Sequence, residues 1–157
     1  MKLTLTRCTT LAAALLATTL ITPSPALAHQ TPAATTCTLV VHIDGFHNEK
    51  GDAGLSVFNS PDGWPENNDK AFLHGGHPFS GTSTTITLQV PPGRYALVAL
   101  HDENSNHKLD RNMFNIPKEG FGFSNNPKVF LSPPSFDTAA MPVTCPTTET
   151  TIHLIYK

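Results

Sequence analysis

The chain has 157 residues, 39% hydrophobic, 8% aromatic and 14% charged, with 14 Pro and 10 Gly. That length accommodates one domain, with or without a removable segment, and excludes two sizeable cores. A formal net charge of -2 without runs of like charge excludes a basic nucleic-acid footprint and a highly charged solvated tail.

Residues 1–28 read as an export segment. Lys2 and Arg7 give a basic start, and the Leu/Ala-rich stretch 11–20 is apolar but too short to span a bilayer. Pro23 and Pro25 interrupt it, and Ala26-Leu27-Ala28 supplies a small-x-small cleavage site. Cleavage after Ala28 would start the mature chain at His29 and place it in the periplasm or outside the cell. No other apolar run is long enough to cross a membrane, so no transmembrane segment is expected in the mature chain. Of the three Cys, Cys8 leaves with the leader; Cys37 and Cys145 remain, and in an oxidising compartment they are expected to form a disulfide.

Residues 29–36 (HQTPAATT) read as a flexible tail ahead of one domain at 37–157. Leu39, Val41 and Ile43 alternate in TLVVHID, and Leu55 and Val57 in AGLSVFN, the period of half-buried strands. A long loop spans roughly 60–81. Ile86, Leu88 and Val90 mark the next strand in STTITLQV. After a PPG turn, RYALVALHD is apolar on both faces and reads as a central strand. A second long loop covers about 102–127, followed by strand signals at KVFL, TAAMPV and TTIHLIY. The predicted fold is all-β: a single antiparallel β-sandwich of about seven strands, immunoglobulin-like or transthyretin-like, with two long loops.

The densest polar cluster follows the central strand. Asp102, Asn104 and Asn106 alternate, and Asp110 falls at the ninth position counted from Asp102. Side-chain oxygens at positions one, three, five and nine suit calcium, with Glu119 as a further carboxylate if the loop folds back. His107 occupies the sixth position, where a sharp turn favours Gly, and Met113 the twelfth, where a bidentate Glu is expected. The competing reading is a metal-free turn held by its own Asn and Asp side chains, the commoner use of those residues.

Residues 91–127, PPGRYALVALHDENSNHKLDRNMFNIPKEGFGFSNNP, resemble the bacterial domain-of-unknown-function family 2141, whose hallmark is a PPG-x-YA, HDEN-x-N-GKLD-x-N, EG-x-GFSN run. The resemblance continues through LSVFNSPDGWP and SFDTAAMPV to Tyr156. It implies an exported β-sandwich without an established biochemical role. His107 and Asn115 stand where the family usually has Gly, and at His107 this weakens the calcium reading.

Phe121 and Phe123 alternate with Gly120 and Gly122 and are candidates for a shallow ligand groove, although such aromatics more often plug a core beneath a loop. Trp64 is a candidate on the same terms, more simply read as a loop anchor. Eight His suggest a copper alternative built on an N-terminal His29 with His74, His77 and His101. No G-x-S-x-G, H-E-x-x-H or phosphate-binding glycine loop is present, and no catalytic residue is assigned. An acid–base site in the 102–119 loop, drawing on His101, Asp102 and Glu119, is the enzyme alternative. The expected function is an exported binding or structural module, its partner an unknown small molecule or protein, with calcium the candidate cofactor.

Overall fold

The computed structural model describes residues 35–157; the export segment, most of the tail and His29 lie outside the described residues. Eight strands carry the fold: β1 (Cys37–Asp44), β2 (Asp52–Phe58), β3 (Leu73–His77), β4 (Ser83–Val90), β5 (Gly93–Asp102), β6 (Gly120–Phe123), β7 (Met141–Val143) and β8 (Thr147–His153). A 3-10 turn covers Asn68–Lys70, and an α-helical turn, α1 (Phe136–Ala139), is capped by the Ser135 hydroxyl, which accepts from the Thr138 amide.

The strands form two sheets. One has the order β4-β1-β8; the other runs β3-β2-β5-β6, with β7 paired to the start of β5. The alternation along β1 buries Cys37, Leu39, Val41 and Ile43 completely. They pack against Ala53, Leu55 and Val57 of β2, Leu97 and Ala99 of β5, and Ile152 of β8 to form the main core. Cys37 is joined to Cys145, with Cα atoms 4.6 Å apart across 108 positions of sequence. Closing a loop of that length stabilises the fold by about 4–5 kcal/mol in the chain-entropy treatment. No helix among the described residues is long and apolar enough to cross a membrane.

The sandwich architecture and the central place of β5 match the sequence reading, with four differences. There are eight strands instead of about seven, because β3 and β6 lie inside the two stretches read as loops. β8 runs parallel to β1, the exception in an otherwise antiparallel arrangement. The KVFL segment is not a strand. Pro127 before it and Pro133-Pro134 beyond it carry no amide for a ladder, and Phe130 and Leu131 project into solvent. Finally, Thr138 and Ala139, read as strand, belong to α1.

β5 is apolar on both faces because one lies in the main core and the other is partly covered. Its outward side joins a second core of Phe58, Ala96, Phe121, Phe123, Phe136 and Ala139. Trp64 closes that core: its indole N–H donates to the Pro134 carbonyl at 2.9 Å, and its ring meets Phe58 edge-on at 5.4 Å. The Ser124-Asn125-Asn126 run fastens neighbouring segments. The Ser124 hydroxyl accepts from the Leu97 amide and donates to the Ala139 carbonyl, while Asn126 bonds the backbone of both Thr151 and His153.

Candidate functional site

β5 is paired on both sides through His101 and with β2 as far as Asp102, so the following loop starts from a fixed base. Strand alternation sends the last two residues of β5 to opposite faces. His101 turns into the main core, fully buried, its ring edge-on to Phe46 and Phe79. Its Nδ1 lies 2.7 Å from the Tyr156 hydroxyl and its Nε2 3.0 Å from the Lys50 carbonyl oxygen. A carbonyl only accepts, so in the neutral ring Nε2 carries the proton and Nδ1 accepts from Tyr156. Burial pushes the Tyr156 hydroxyl up; the His47 amide pulls it down and the charge of Glu103 raises it again.

Asp102 faces the outer side, and its carboxylate organises the turn that follows. It accepts from the amides of Asn106 at 3.0 Å and His107 at 2.6 Å, and is 1% exposed. Asp110 accepts from the carboxamide nitrogens of Asn104 at 2.8 Å and Asn106 at 3.1 Å. Glu119 does fold back: its two oxygens accept from the amides of Glu103 at 3.0 Å and Asp110 at 2.8 Å. Burial pushes the Glu119 carboxyl above its ordinary value; the two amides lower it, and the charges of Asp110 and Asp102 add to the rise. Asp102, Asn104, Asn106, Asp110 and Glu119 thus form one hydrogen-bonded hub. Among the described residues, no group of three or more His, Cys, Asp or Glu stands together in a form that could hold a metal ion.

Beyond Asp110 the chain makes a narrow turn closed by an Arg111–Pro117 bridge. The Asn112 side chain accepts from the Phe114 amide at 2.9 Å and the Ile116 amide at 3.1 Å, and Asn115 adopts φ 61°. Arg111 ties this turn to the 60–72 loop through an ion pair with Glu66.

The hub and turn stand beside a cleft of about 820 Å³ over the outer face of the five-stranded sheet. Its floor is Val98 and Leu100 of β5 with Phe121 and Phe123 of β6, paired across the two strands. Phe114 and Ile116 of this turn, and Phe130 and Leu131 further along the chain, also line the cleft, and all four are exposed. The charged lining comes from Lys108, Arg111, Lys157, Glu66 and Asp102.

Phe121 and Phe123, groove candidates in the sequence but more simply read there as core plugs, line the cleft and belong to the second core. Trp64 lies in that core and outside the cleft lining. His74 lines the cleft, whereas His77, three positions on along β3, faces the other way. His101 has both nitrogens engaged, so the structure does not bring these three histidines to one point. Nor do His101, Asp102 and Glu119 meet, since His101 faces the core and the two carboxylates hold loop amides. Reasoning from sequence missed Val98, Leu100, Lys108 and Arg111, and the exposed Phe114, Ile116, Phe130 and Leu131. One signal was available: RYALVALHD is apolar on its outward face as well, which requires something to cover it.

The molecule is a two-sheet β-sandwich whose loops build a cleft on the outside of one sheet. The chain belongs to the family described as "Uncharacterized protein conserved in bacteria (DUF2141)", which matches over residues 41–152. That span holds the entire hub and every cleft residue except Lys157. No curated protein and no solved structure matches the chain.

Proposed function

We propose that this protein is an exported binding module whose cleft takes a small molecule with an apolar body. One observation carries the reading: a cleft of about 820 Å³ with an apolar floor on two paired strands. That volume falls within the roughly 300–1,000 Å³ of small-molecule sites, which combine apolar walls with a few polar groups. In this reading the acidic hub is the hinge post of the site. It fixes the path of 102–119, and with it Lys108, Arg111, Phe114 and Ile116 at the rim. Titration with the neutral dye N-phenyl-1-naphthylamine is expected to give saturable, one-to-one fluorescence enhancement. Leu100→Gln, which places an unpartnered amide on the floor, should weaken binding about tenfold or more. Absent saturation, or equal binding by Leu100→Gln, would contradict the proposal.

A second reading places calcium in the 102–110 loop. The charges of Asp110 and Asp102 lie near enough to Glu119 to raise its carboxyl, which is the observation in its favour, although the three carboxylates do not stand together as a ligand set. Against it, Asp102 and Glu119 already accept backbone amides, and Asn104 and Asn106 turn N–H groups toward Asp110. Millimolar calcium is therefore expected to leave the melting temperature unchanged; a rise abolished by Asp102→Ala would establish the metal instead.

A further inference from the structure

We propose that the mouth of the cleft docks on an anionic lipid surface, so that the ligand enters from a bilayer; this rests on the cleft reading above. Seven large apolar side chains are exposed among the described residues, and five lie on the two segments beside the cleft. They are Met113 (90%), Phe114 (76%), Ile116 (43%), Phe130 (78%) and Leu131 (103%). Monomeric proteins tolerate scattered exposed apolar groups, but clustering at one opening marks an interaction surface. These side chains stand on loop tips and not on a strand face. A protein partner would need a matching pocket for each one. The interfacial layer of a bilayer accepts them without such complementarity, because burial of apolar area is non-directional. The presentation is firm, since the Asn112 side chain and the Arg111–Pro117 bridge set the turn carrying Met113, Phe114 and Ile116.

Charge identifies the partner further. Between positions 104 and 133 the cations are Lys108, Arg111, Lys118 and Lys128, and the only acids are Asp110 and Glu119. Asp110 accepts from the Asn104 and Asn106 carboxamides and Glu119 from loop amides, so both keep their charge but hold it within the loop, and the stretch remains net positive, four cations against two acids. Arg111 is neutralised by Glu66, which leaves three exposed lysines in these segments. Exposed Lys157 adds a fourth: its ammonium reaches the Val129 carbonyl at 2.8 Å, beside Phe130. A chain with formal charge -2 thus turns a positive, apolar-tipped edge outward around its cleft. Anionic headgroups over an acyl layer complement that edge in both respects.

Co-sedimentation of the protein with phosphatidylcholine vesicles, with and without phosphatidylglycerol, tests this at low and high salt. Binding is expected only with the anionic lipid, and should weaken as salt rises. Lys118→Gln and Lys128→Gln should each weaken it about fivefold. Met113→Asp should weaken it about tenfold or more. None of these three residues lines the cleft, so N-phenyl-1-naphthylamine binding in vesicle-free solution should be unchanged in each variant. Dye binding without association to anionic vesicles, or vesicle association insensitive to all three substitutions, would overturn the docking surface and leave the cleft reading standing. Vesicle association without dye binding would support the surface and overturn both the cleft reading and ligand entry from the bilayer.

Discussion

His107 adopts φ 62°, and Ser105 two positions earlier 55°, so the turn after β5 bends through two left-handed residues that carry side chains. That conformation costs a non-glycine residue about 1–2 kcal/mol, against which stands the extra unfolded-state freedom of Gly. The amide of His107 donates to Asp102, and a Gly amide would do the same. Its imidazole lies 3.8 Å from the Asp102 carboxylate but is 67% exposed, so that contact contributes little. His107→Gly is therefore expected to stabilise the fold by about 0.5–1 kcal/mol, read as a higher urea midpoint at unchanged slope. A lower midpoint would mean that the imidazole matters to the hub. The steric oddity of His107 was legible from its place in the Asp/Asn run. The donors to the Asp102 oxygens were not, since alternate spacing suits a cation and an amide-bonded turn equally.

At the scale of elements, strands were legible where apolar residues alternate with polar ones, as in β1, β2 and β4. β6 was not, because Gly-Phe-Gly-Phe lacks the β-branched residues that mark a strand. Its glycines are explained by what they face. A Cβ on Gly122 would lie 2.6 Å from Ile152 Cγ2 and 2.7 Å from the His153 carbonyl oxygen; one on Gly120 would meet the Tyr156 ring at 2.3 Å. The glycines let β6 press against the end of β8, and the phenylalanines point the other way, into the second core and the cleft. Gly122→Ala is expected to destabilise the fold by about 1–3 kcal/mol, because the backbone of β8 cannot yield as a side-chain tip would. Calorimetry checks this: an unchanged melting temperature would mean that the two strands do not approach so closely in solution. β3 escaped notice for a related reason, its centre being His-Gly-Gly-His.

For the whole molecule, two packed sheets supply the frame and the loops between strands supply the site. The Cys37–Cys145 bond, legible from cysteine arithmetic, joins the start of β1 to the chain just ahead of β8. The cleft was hidden because its parts are distant in sequence: Val98 and Leu100, Phe121 and Phe123, then Phe130 and Leu131 meet only once β5 and β6 pair. The polar run at 102–110 drew attention as chemistry, but its side chains support a neighbouring surface whose own residues are mostly apolar.

The central claim is that ligand binds on the outer face of the five-stranded sheet. An NMR titration with N-phenyl-1-naphthylamine tests it most directly. The account predicts saturable shifts at Val98, Leu100, Phe121 and Phe123, with Val40 and Thr87 on the outer face of the other sheet left unmoved. Shifts confined to the β4-β1-β8 sheet, or none that saturate, would contradict it.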